Sequence, residues 1–136
     1  MKTEINNINN EIVKISVKNN KRLNIILCNL GASIRNIFID DKKISLSPKD
    51  DSLFIRNDNY FGKTIGRTAG RIKNGEYILN GKNANLEKND GNNNLHSGKD
   101  GYHQKLFDYE IINDNDYTRV VFKYYSPNLD GGHLGE

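Results

Sequence analysis

The amino-acid sequence predicts an all-β fold. Short apolar runs alternate with turn residues along the chain, and several of these runs have the two-residue period of half-buried strands. Asn80-Gly81 lies between two such runs and is a strong hairpin signal, because both residues of the tight turn need positive φ. No stretch has the apolar period and the capping residues of a helix. Because no internal repeat or linker interrupts the pattern, we expect residues 1–136 to form a single unit.

Three strands are predicted in the first part of the chain, at Ile12–Val17, Leu23–Cys28 and Ser33–Ile39. In the first of them Val13, Ile15 and Val17 alternate with polar residues, which places these three side chains on one face. Asn29–Ala32 is predicted to turn the chain between the second and third strands, and Asp40–Lys43 to form a charged turn after the third.

Four further strands are predicted as two hairpins, at Glu76–Leu79 with Lys82–Leu86 and at Phe107–Ile112 with Tyr117–Tyr125. Asn80-Gly81 joins the first pair, and Asn113–Asp116 joins the second. The last strand is rich in the aromatic and β-branched residues that strands favour, namely Tyr117, Val120, Val121, Phe122, Tyr124 and Tyr125.

The composition limits the classes of function. The chain has 136 residues, enough for one domain, but only 35% of them are hydrophobic and the mean hydropathy is -0.75. Such values suit half-solvated sheets or part of a larger fold. The net charge is only +3, and acidic residues are interspersed with the 20 Lys and Arg residues. We therefore expect no basic face and no nucleic-acid partner.

The sequence contains no signal for secretion or membrane insertion. Its start, MKTEINNINNEI, lacks the apolar core of a signal peptide, and no later run approaches the length of a membrane span. Cys28 is the single cysteine and lies in an apolar run, so a buried, inert thiol is expected rather than a disulfide or a nucleophile. These features predict a soluble cytoplasmic protein with no membrane partner.

Three blocks carry the most specific signal in the chain, IGRTAGRI at Ile65–Ile72, GEYILNGK at Gly75–Lys82 and NNNLHSG at Asn92–Gly98. Their order and spacing resemble those of the aldose 1-epimerases, or galactose mutarotases, which interconvert the α and β anomers of free sugars. Ser126–Glu136 also lines up without gaps with the family's Ser-Pro-Asp-Gly-x-x-Gly-aromatic-Pro-Gly segment. Weaker agreement with the family extends from about Leu30 to Glu136.

The resemblance implies a fold and also a missing portion of that fold. The family's fold is a large antiparallel β-sandwich, the galactose mutarotase-like supersandwich, and this chain would supply its N-terminal portion in truncated form. The family's general acid, a second His, and its general base, a Glu, have no counterparts here. We therefore assign no catalytic residue and expect the isolated chain to be inactive. No cofactor is implied, because proton transfer alone drives the reaction. Unpaired strand edges are expected to favour self-association.

Arg71 and His96 are the residues that the resemblance assigns to substrate binding. Arg71 stands where the family's substrate-contacting Arg lies, and its planar fork offers fixed N–H donors for sugar hydroxyls. His96 matches the sugar-contacting His of the family's Leu-His-Gly-Gly motif, and imidazole can both donate and accept a hydrogen bond. The alternatives are an Arg71 that orders a loop by pairing with Asp90 or Asp100, and a surface His96 without a role.

The other basic residues near these blocks are expected to be structural. Arg67 is predicted to hold its loop in place, and Gly66–Gly70 lacks the Gly-Lys-Ser/Thr ending of a phosphate-binding loop. His103 and His133 are predicted to be surface or packing residues. The three histidines of the chain share no metal-ligand spacing, so no metal site is expected.

Several positions depart from the family's pattern, which leaves the preferred sugar open. They are Gly70 in place of Asn, Ser97 in place of Gly, His103 in place of an acidic residue, Phe107 in place of Trp, His133 in place of an aromatic residue, and Leu134 in place of Pro. The sequence leaves three interpretations of the chain open. The chain is the N-terminal part of an aldose 1-epimerase acting on free hexoses such as galactose or glucose, a non-catalytic sugar-binding β-sandwich, or an inactive truncated fragment.

Overall fold

The computed structural model describes residues 1–56 and 59–136, and it confirms the predicted all-β fold. In chain order the strands are β1 (Lys2–Asn7), β2 (Val13–Lys18), β3 (Leu23–Cys28), β4 (Ser33–Ile39), β5 (Lys42–Lys43), β6 (Arg71–Ile72), β7 (Glu76–Leu79), β8 (Lys82–Asn85), β9 (Asn94–Leu95), β10 (Asp108–Asn113) and β11 (Thr118–Lys123). The helical elements are α1 (Asp51–Ile55) and 3₁₀ turns at Lys73–Gly75, Tyr102–Gln104 and Asp130–Gly132.

The chain forms two compact units, residues 1–63 with 106–124 and residues 64–105 with 125–136. The single unit expected over residues 1–136 stays a prediction. No helix in residues 1–56 or 59–136 is both long enough and apolar enough to cross a membrane.

An antiparallel five-stranded sheet dominates the first unit, with strand order β1-β2-β3-β4-β5. The predicted strands at β2, β3 and β4 are confirmed to within a residue at each end. Ile15 of β2 is fully buried, and it pairs with Ile5 of β1 and Leu27 of β3. The first strand was not predicted from its polar sequence, because β1 lies at the sheet edge and leaves most of its side chains exposed.

The turn after β4 is shorter than the sequence predicts. Asp40 and Asp41 form it, with φ of 50° and 63°, and the chain then returns as β5 alongside β4. The expectation that Asp40–Lys43 forms only a turn is therefore wrong for its last two residues. Asn29–Ala32 turns the chain between β3 and β4 as expected, with Ala32 at φ 40°.

The core of the first unit lies around Phe54, which is fully buried on α1. It belongs to a cluster with Ile12, Cys28 and Leu30. Asp50 caps this helix, accepting a hydrogen bond from the Leu53 N–H at 2.7 Å. The expectation that no helix forms is wrong here. A helix of five residues is too short to display an apolar period, and its formation depends on burying one aromatic side chain.

Two cations enclose this aromatic ring. The Arg35 guanidinium carbon lies 4.7 Å and the Lys63 amine 4.4 Å from the centre of the Phe54 ring. Burial and, to a smaller extent, the Arg35 charge lower the pKa of Lys63 to about 8. The expected burial of Cys28 is confirmed, and desolvation raises the pKa of its thiol. A buried thiol held in its protonated form is a poor nucleophile.

The β10–β11 hairpin also belongs to the first unit and forms as predicted, with Asp108 opposite Lys123 and Asn113 opposite Thr118. Beyond the ends of these strands, the rings of Phe107 and Tyr124 pack at 5.2 Å between centres. The Phe107 N–H donates to the Asn29 carbonyl at 3.1 Å, which attaches the hairpin to the turn after β3.

The second unit contains two small antiparallel sheets, β6–β9 and β7–β8, and irregular segments that pack on them. The predicted hairpin at Asn80-Gly81 is confirmed, with φ of 49° and 75° at its two turn residues. Ala84 and Leu86 are buried, whereas Ile78 is 72% exposed. The hairpin therefore buries one face and leaves an apolar side chain in solvent on the other.

We predict that the isolated chain associates with itself or aggregates. In the second unit Ile78, Tyr125 and Leu129 are 72%, 68% and 59% exposed, and a short two-stranded sheet presents open edges to other chains. Size-exclusion chromatography with light scattering and thermal melting followed by circular dichroism are the measurements. A clean monomer with a sharp cooperative melt would contradict this prediction. Ile78→Lys should reduce association, and Glu76→Lys on the same strand serves as the control.

Candidate functional site

The short β6–β9 ladder brings together the two sequence blocks that contain the predicted sugar-binding residues. Arg71 pairs with Leu95 across it. Next to this pair the His96 N–H donates to the Gly70 carbonyl at 3.0 Å, and the Gly70 N–H donates to Nδ1 of His96, also at 3.0 Å. Arg71 and His96 therefore stand on adjacent segments of one ladder.

The hydrogen bond from Gly70 determines the protonation pattern of the neutral His96 ring. Because Nδ1 accepts the Gly70 N–H, the ring proton lies on Nε2. His96 itself has φ of 56°, and Ser97 and Gly98 continue with φ of 68° and 77°. The loop therefore turns sharply at this residue, with an imidazole that carries a donor at Nε2.

Arg71 is anchored on one edge of its guanidinium group. Its Nε donates to Asp90 Oδ2 at 2.6 Å, and Asp90 is itself held by a bridge to Asn93. The Arg71 side chain is 62% exposed, and its two terminal nitrogens have no hydrogen-bond partner within residues 1–56 and 59–136. The alternative of a loop-ordering pair with Asp90 is thus present in the structure, whereas Asp100 pairs with Lys105.

The glycines of the first block serve different purposes. Gly70 has φ of 88°, and apart from Gly70 and its chain neighbours no heavy atom of residues 1–56 or 59–136 lies within 4 Å of the position that a Cβ would occupy. At Gly66 an added Cβ would lie 2.3 Å from the Tyr102 ring. The Tyr102 ring therefore fills the space beside Gly66. Gly70 does have open space beside the ladder.

Arg67 fastens the last segment of the second unit. One terminal nitrogen donates to the carbonyls of Leu134 at 3.2 Å and Gly135 at 2.7 Å. The other donates to the Ser126 hydroxyl at 2.6 Å, the Ser126 carbonyl at 3.2 Å and the Pro127 carbonyl at 3.0 Å. These contacts agree with the structural role predicted for Arg67, and the segment that they hold is 126–135.

A buried hydrogen-bonded chain runs through Tyr77, His133 and Ser97. The Ser97 hydroxyl lies 3.0 Å from His133 Nε2, and the Tyr77 hydroxyl lies 3.3 Å from His133 Nδ1. Ser97 and His133 are each only 2% exposed. Burial and the nearby Arg67 charge lower the pKa of His133, partly offset by Asp130. His133 is therefore a packing residue and not a surface residue.

The Tyr77–His133–Ser97 chain was missed from the sequence, although part of its signal was visible there. Ser97 and His133 are both positions where the chain departs from the family's pattern, and the structure places them in contact. His103 is also buried, at 4% exposure, which leaves packing as its role. Among the described residues no group of three or more His, Cys, Asp or Glu side chains is arranged to hold a metal ion.

The sequence of the chain is similar to those of known proteins. The sequence model of the aldose 1-epimerase family matches residues 13–135. An aldose 1-epimerase of Lactobacillus helveticus is 28% identical over 88 residues, covering 65% of this chain and 68% of that protein. A galactose mutarotase of Bos taurus is 34% identical over 83 residues, covering 61% of this chain and 23% of that protein.

A solved structure extends this similarity to almost the whole chain. The crystal structure of a galactose 1-epimerase from Lactobacillus acidophilus NCFM superposes with a TM-score of 0.86 at 25% sequence identity. The match covers 98% of this chain but only 41% of that protein. The chain therefore spans about two fifths of the length of that enzyme.

We predict that Arg67→Lys loosens residues 126–135, whereas Arg71→Lys leaves them unchanged. A lysine ammonium cannot reproduce the fork that reaches four residues at once, and hydrogen bonds from a charged donor are worth about 1.5–3 kcal/mol each. Amide hydrogen exchange at Gly132 and His133 should accelerate by about 30-fold, which corresponds to ~2 kcal/mol. Equal protection in the two variants would contradict the fastening role.

Proposed function

The chain belongs to the aldose 1-epimerase family, and we propose that it forms the sugar-contacting part of an aldose 1-epimerase acting on free hexoses such as galactose or glucose. Its all-β fold is that of part of the galactose mutarotase-like β-sandwich. The observation that carries the proposal is the β6–β9 ladder, which brings Arg71 and His96 to neighbouring positions with the exposed guanidinium group of Arg71 beside them.

The reaction itself needs a base, an acid and a set of positioning donors. The base takes the proton from the C1 hydroxyl, the bond between C1 and the ring oxygen breaks, and the acid protonates the ring oxygen. The C1 end then rotates, and the ring closes on the opposite face of C1. Throughout these steps the remaining hydroxyls have to stay in register with the acid and the base.

Arg71 is suited to the positioning role. Asp90 holds its Nε, which restricts the rotation of the guanidinium group, and the 62% exposed side chain keeps further N–H donors on its terminal nitrogens. Two N–H donors in a fixed plane can hold neighbouring sugar hydroxyls that accept hydrogen bonds. The ion pair with Asp90 and the contact with sugar are therefore compatible roles of one side chain.

His96 supplies a donor of different character. With Nδ1 accepting the Gly70 N–H, its Nε2–H donates to an oxygen of the bound sugar. Negative charge grows on the ring oxygen as its bond to C1 breaks, so a donor aimed at that oxygen stabilises the transition state more than the ground state. The resemblance assigns His96 to the ring oxygen and its neighbouring hydroxyls, which fits this chemistry.

The general acid and the general base are not assigned to any residue of this chain. We propose that they belong to the part of the family's fold that this chain does not span. No cofactor is needed for the proton transfers. A non-catalytic sugar-binding β-sandwich remains the second candidate, and what supports it is that the residues proposed here, Arg71 and His96, would position a sugar without transferring a proton.

We predict that the isolated chain has little or no mutarotase activity, because the acid and the base each contribute roughly a hundredfold or more to the rate. Polarimetry of freshly dissolved α-glucose and α-galactose is the measurement. A rate well above that of buffer, proportional to protein concentration and unchanged in His96→Ala, would contradict both this prediction and the assignment of the site.

We predict that galactose binding depends on the guanidinium group of Arg71 and not only on its charge. Arg71→Lys should weaken binding by about tenfold, since an ammonium replaces two fixed donors. Asp90→Asn removes the ion pair but keeps the guanidinium, so it should stay within about threefold of the unchanged chain. Ligand-observed saturation-transfer NMR measures both, and it also works on associated chains. Equal losses in the two variants would assign Arg71 to loop ordering instead.

A further inference from the structure

We propose that His133 is a positioning residue for the sugar site, which acts through Ser97 to hold the loop that carries His96. This inference rests on the proposed sugar-binding role of His96. His133 lies in the segment 126–135 that Arg67 fastens, and its ring is buried between Ser97 and Tyr77. Because His133 is only 2% exposed, we place its effect on a ligand in the contacts with its neighbours.

The donors and acceptors of the hydrogen bonds among Tyr77, His133 and Ser97 form one consistent arrangement. The Tyr77 hydroxyl accepts the Leu134 N–H at 3.0 Å, which leaves its own proton to be donated to His133 Nδ1. The His133 ring then carries its proton on Nε2 and donates to the Ser97 hydroxyl. That hydroxyl also accepts the Thr68 N–H at 3.0 Å, and it directs its own proton toward the Thr68 carbonyl at 3.5 Å.

The Ser97 hydroxyl connects both sides of the sugar site. On one side it belongs to the residue after His96, and on the other it binds Thr68, two residues before the Gly70 N–H that orients the His96 ring. His96 and Ser97 are consecutive non-glycine residues with φ of 56° and 68°, a conformation that persists only when surrounding contacts enforce it. The turn at Gly131 lies close to this loop, since a Cβ added at Gly131 would be 3.3 Å from the Ser97 carbonyl oxygen.

The hydrogen bonds among Tyr77, His133 and Ser97 depend on a neutral His133 ring. Within the described part of the chain, the Tyr77 and Ser97 hydroxyls contact its ring, and the Arg67 guanidinium and the Asp130 carboxylate act on it through their charges. Lys105 pairs with Asp130 at 3.0 Å. Burial and then Arg67 depress the pKa of His133 below its ordinary 6.5, against a smaller opposing effect of Asp130. The neutral ring is therefore favoured in the folded state.

The sign of the pH dependence follows from this depression. The stabilisation of the loop is complete above the ordinary pKa of 6.5 and is lost as the pH falls through the lower folded value. A protonated ring carries a proton on Nδ1 as well, which reverses the hydrogen bond with Tyr77 and places a second positive charge near Arg67. Galactose affinity should decline over the same pH range as His133 takes up its proton.

The test compares three variants of the full 136-residue chain, labelled with ¹⁵N at histidine. His133→Phe keeps a ring but removes the link, Ser97→Ala removes the same link from the other side, and His133→Gln keeps an N–H donor toward Ser97 without titrating. Two quantities are measured from pH 5 to pH 8. They are the ¹⁵N signals of the His96 ring, which report its bond with Gly70, and galactose affinity by saturation-transfer NMR.

The expected results separate positioning from simple structural support. At pH 7.5 His133→Phe and Ser97→Ala should each alter the His96 ring signals and weaken galactose binding by about tenfold, and the double variant should be no worse than either. In His133→Gln both the His96 ring signals and the galactose affinity at pH 7.5 should match those of the unchanged chain. This variant should also lack the part of the affinity loss at low pH that results from protonation of His133. Any affinity loss at low pH that remains in it is due to other groups.

Three results would overturn the inference. The first is His96 ring signals in His133→Phe and Ser97→Ala that match those of the unchanged chain. The second is His133→Gln behaving like His133→Phe at pH 7.5, and the third is His133→Gln retaining the full loss of galactose affinity at low pH. The proposed function is tested separately, because an unchanged chain that binds no galactose contradicts sugar binding while the ring signals still decide whether His133 positions His96.

Discussion

The pair of hydrogen bonds between Gly70 and His96 is the constraint on which the proposed sugar site depends. It closes the β6–β9 ladder beyond Arg71, and it also places the proton of the neutral His96 ring on Nε2. A ladder of two residues per strand supplies little stability of its own, so contacts around it have to hold it. Asp90 does so for Arg71, and the buried Ser97–His133 contact does so for the loop.

Much of the fold could be predicted because its signals are local. Alternation around Ile15 and the Asn80-Gly81 turn each specify a strand or a hairpin within a few residues, and both are found as expected. The misses depend on distant partners. β1 is polar and becomes a strand because β2 offers it an edge, and α1 forms because Phe54 fills a core shared with Cys28. Neither cause is visible in the segment itself.

The candidate site likewise contains features that the sequence predicts and features that it does not. Arg71 and His96 stand out in the sequence because their blocks resemble a known family, and the ladder brings the two blocks together. Only the three-dimensional structure shows the tautomer of His96, the anchoring of Arg71 by Asp90 and the contact between Ser97 and His133. Ser97 and His133 both depart from the family's pattern, but the sequence does not indicate that they are in contact. A hydrogen bond between residues so far apart in sequence has no local signature.

The position of bound galactose tests the central claim most directly. A crystal structure of the chain with galactose should show sugar oxygens within hydrogen-bond distance of a terminal nitrogen of Arg71 and of Nε2 of His96, with the Asp90 ion pair intact. Galactose bound in the first unit, or bound beside the ladder with the terminal nitrogens of Arg71 still in solvent, would contradict the assignment of this ladder as a sugar site.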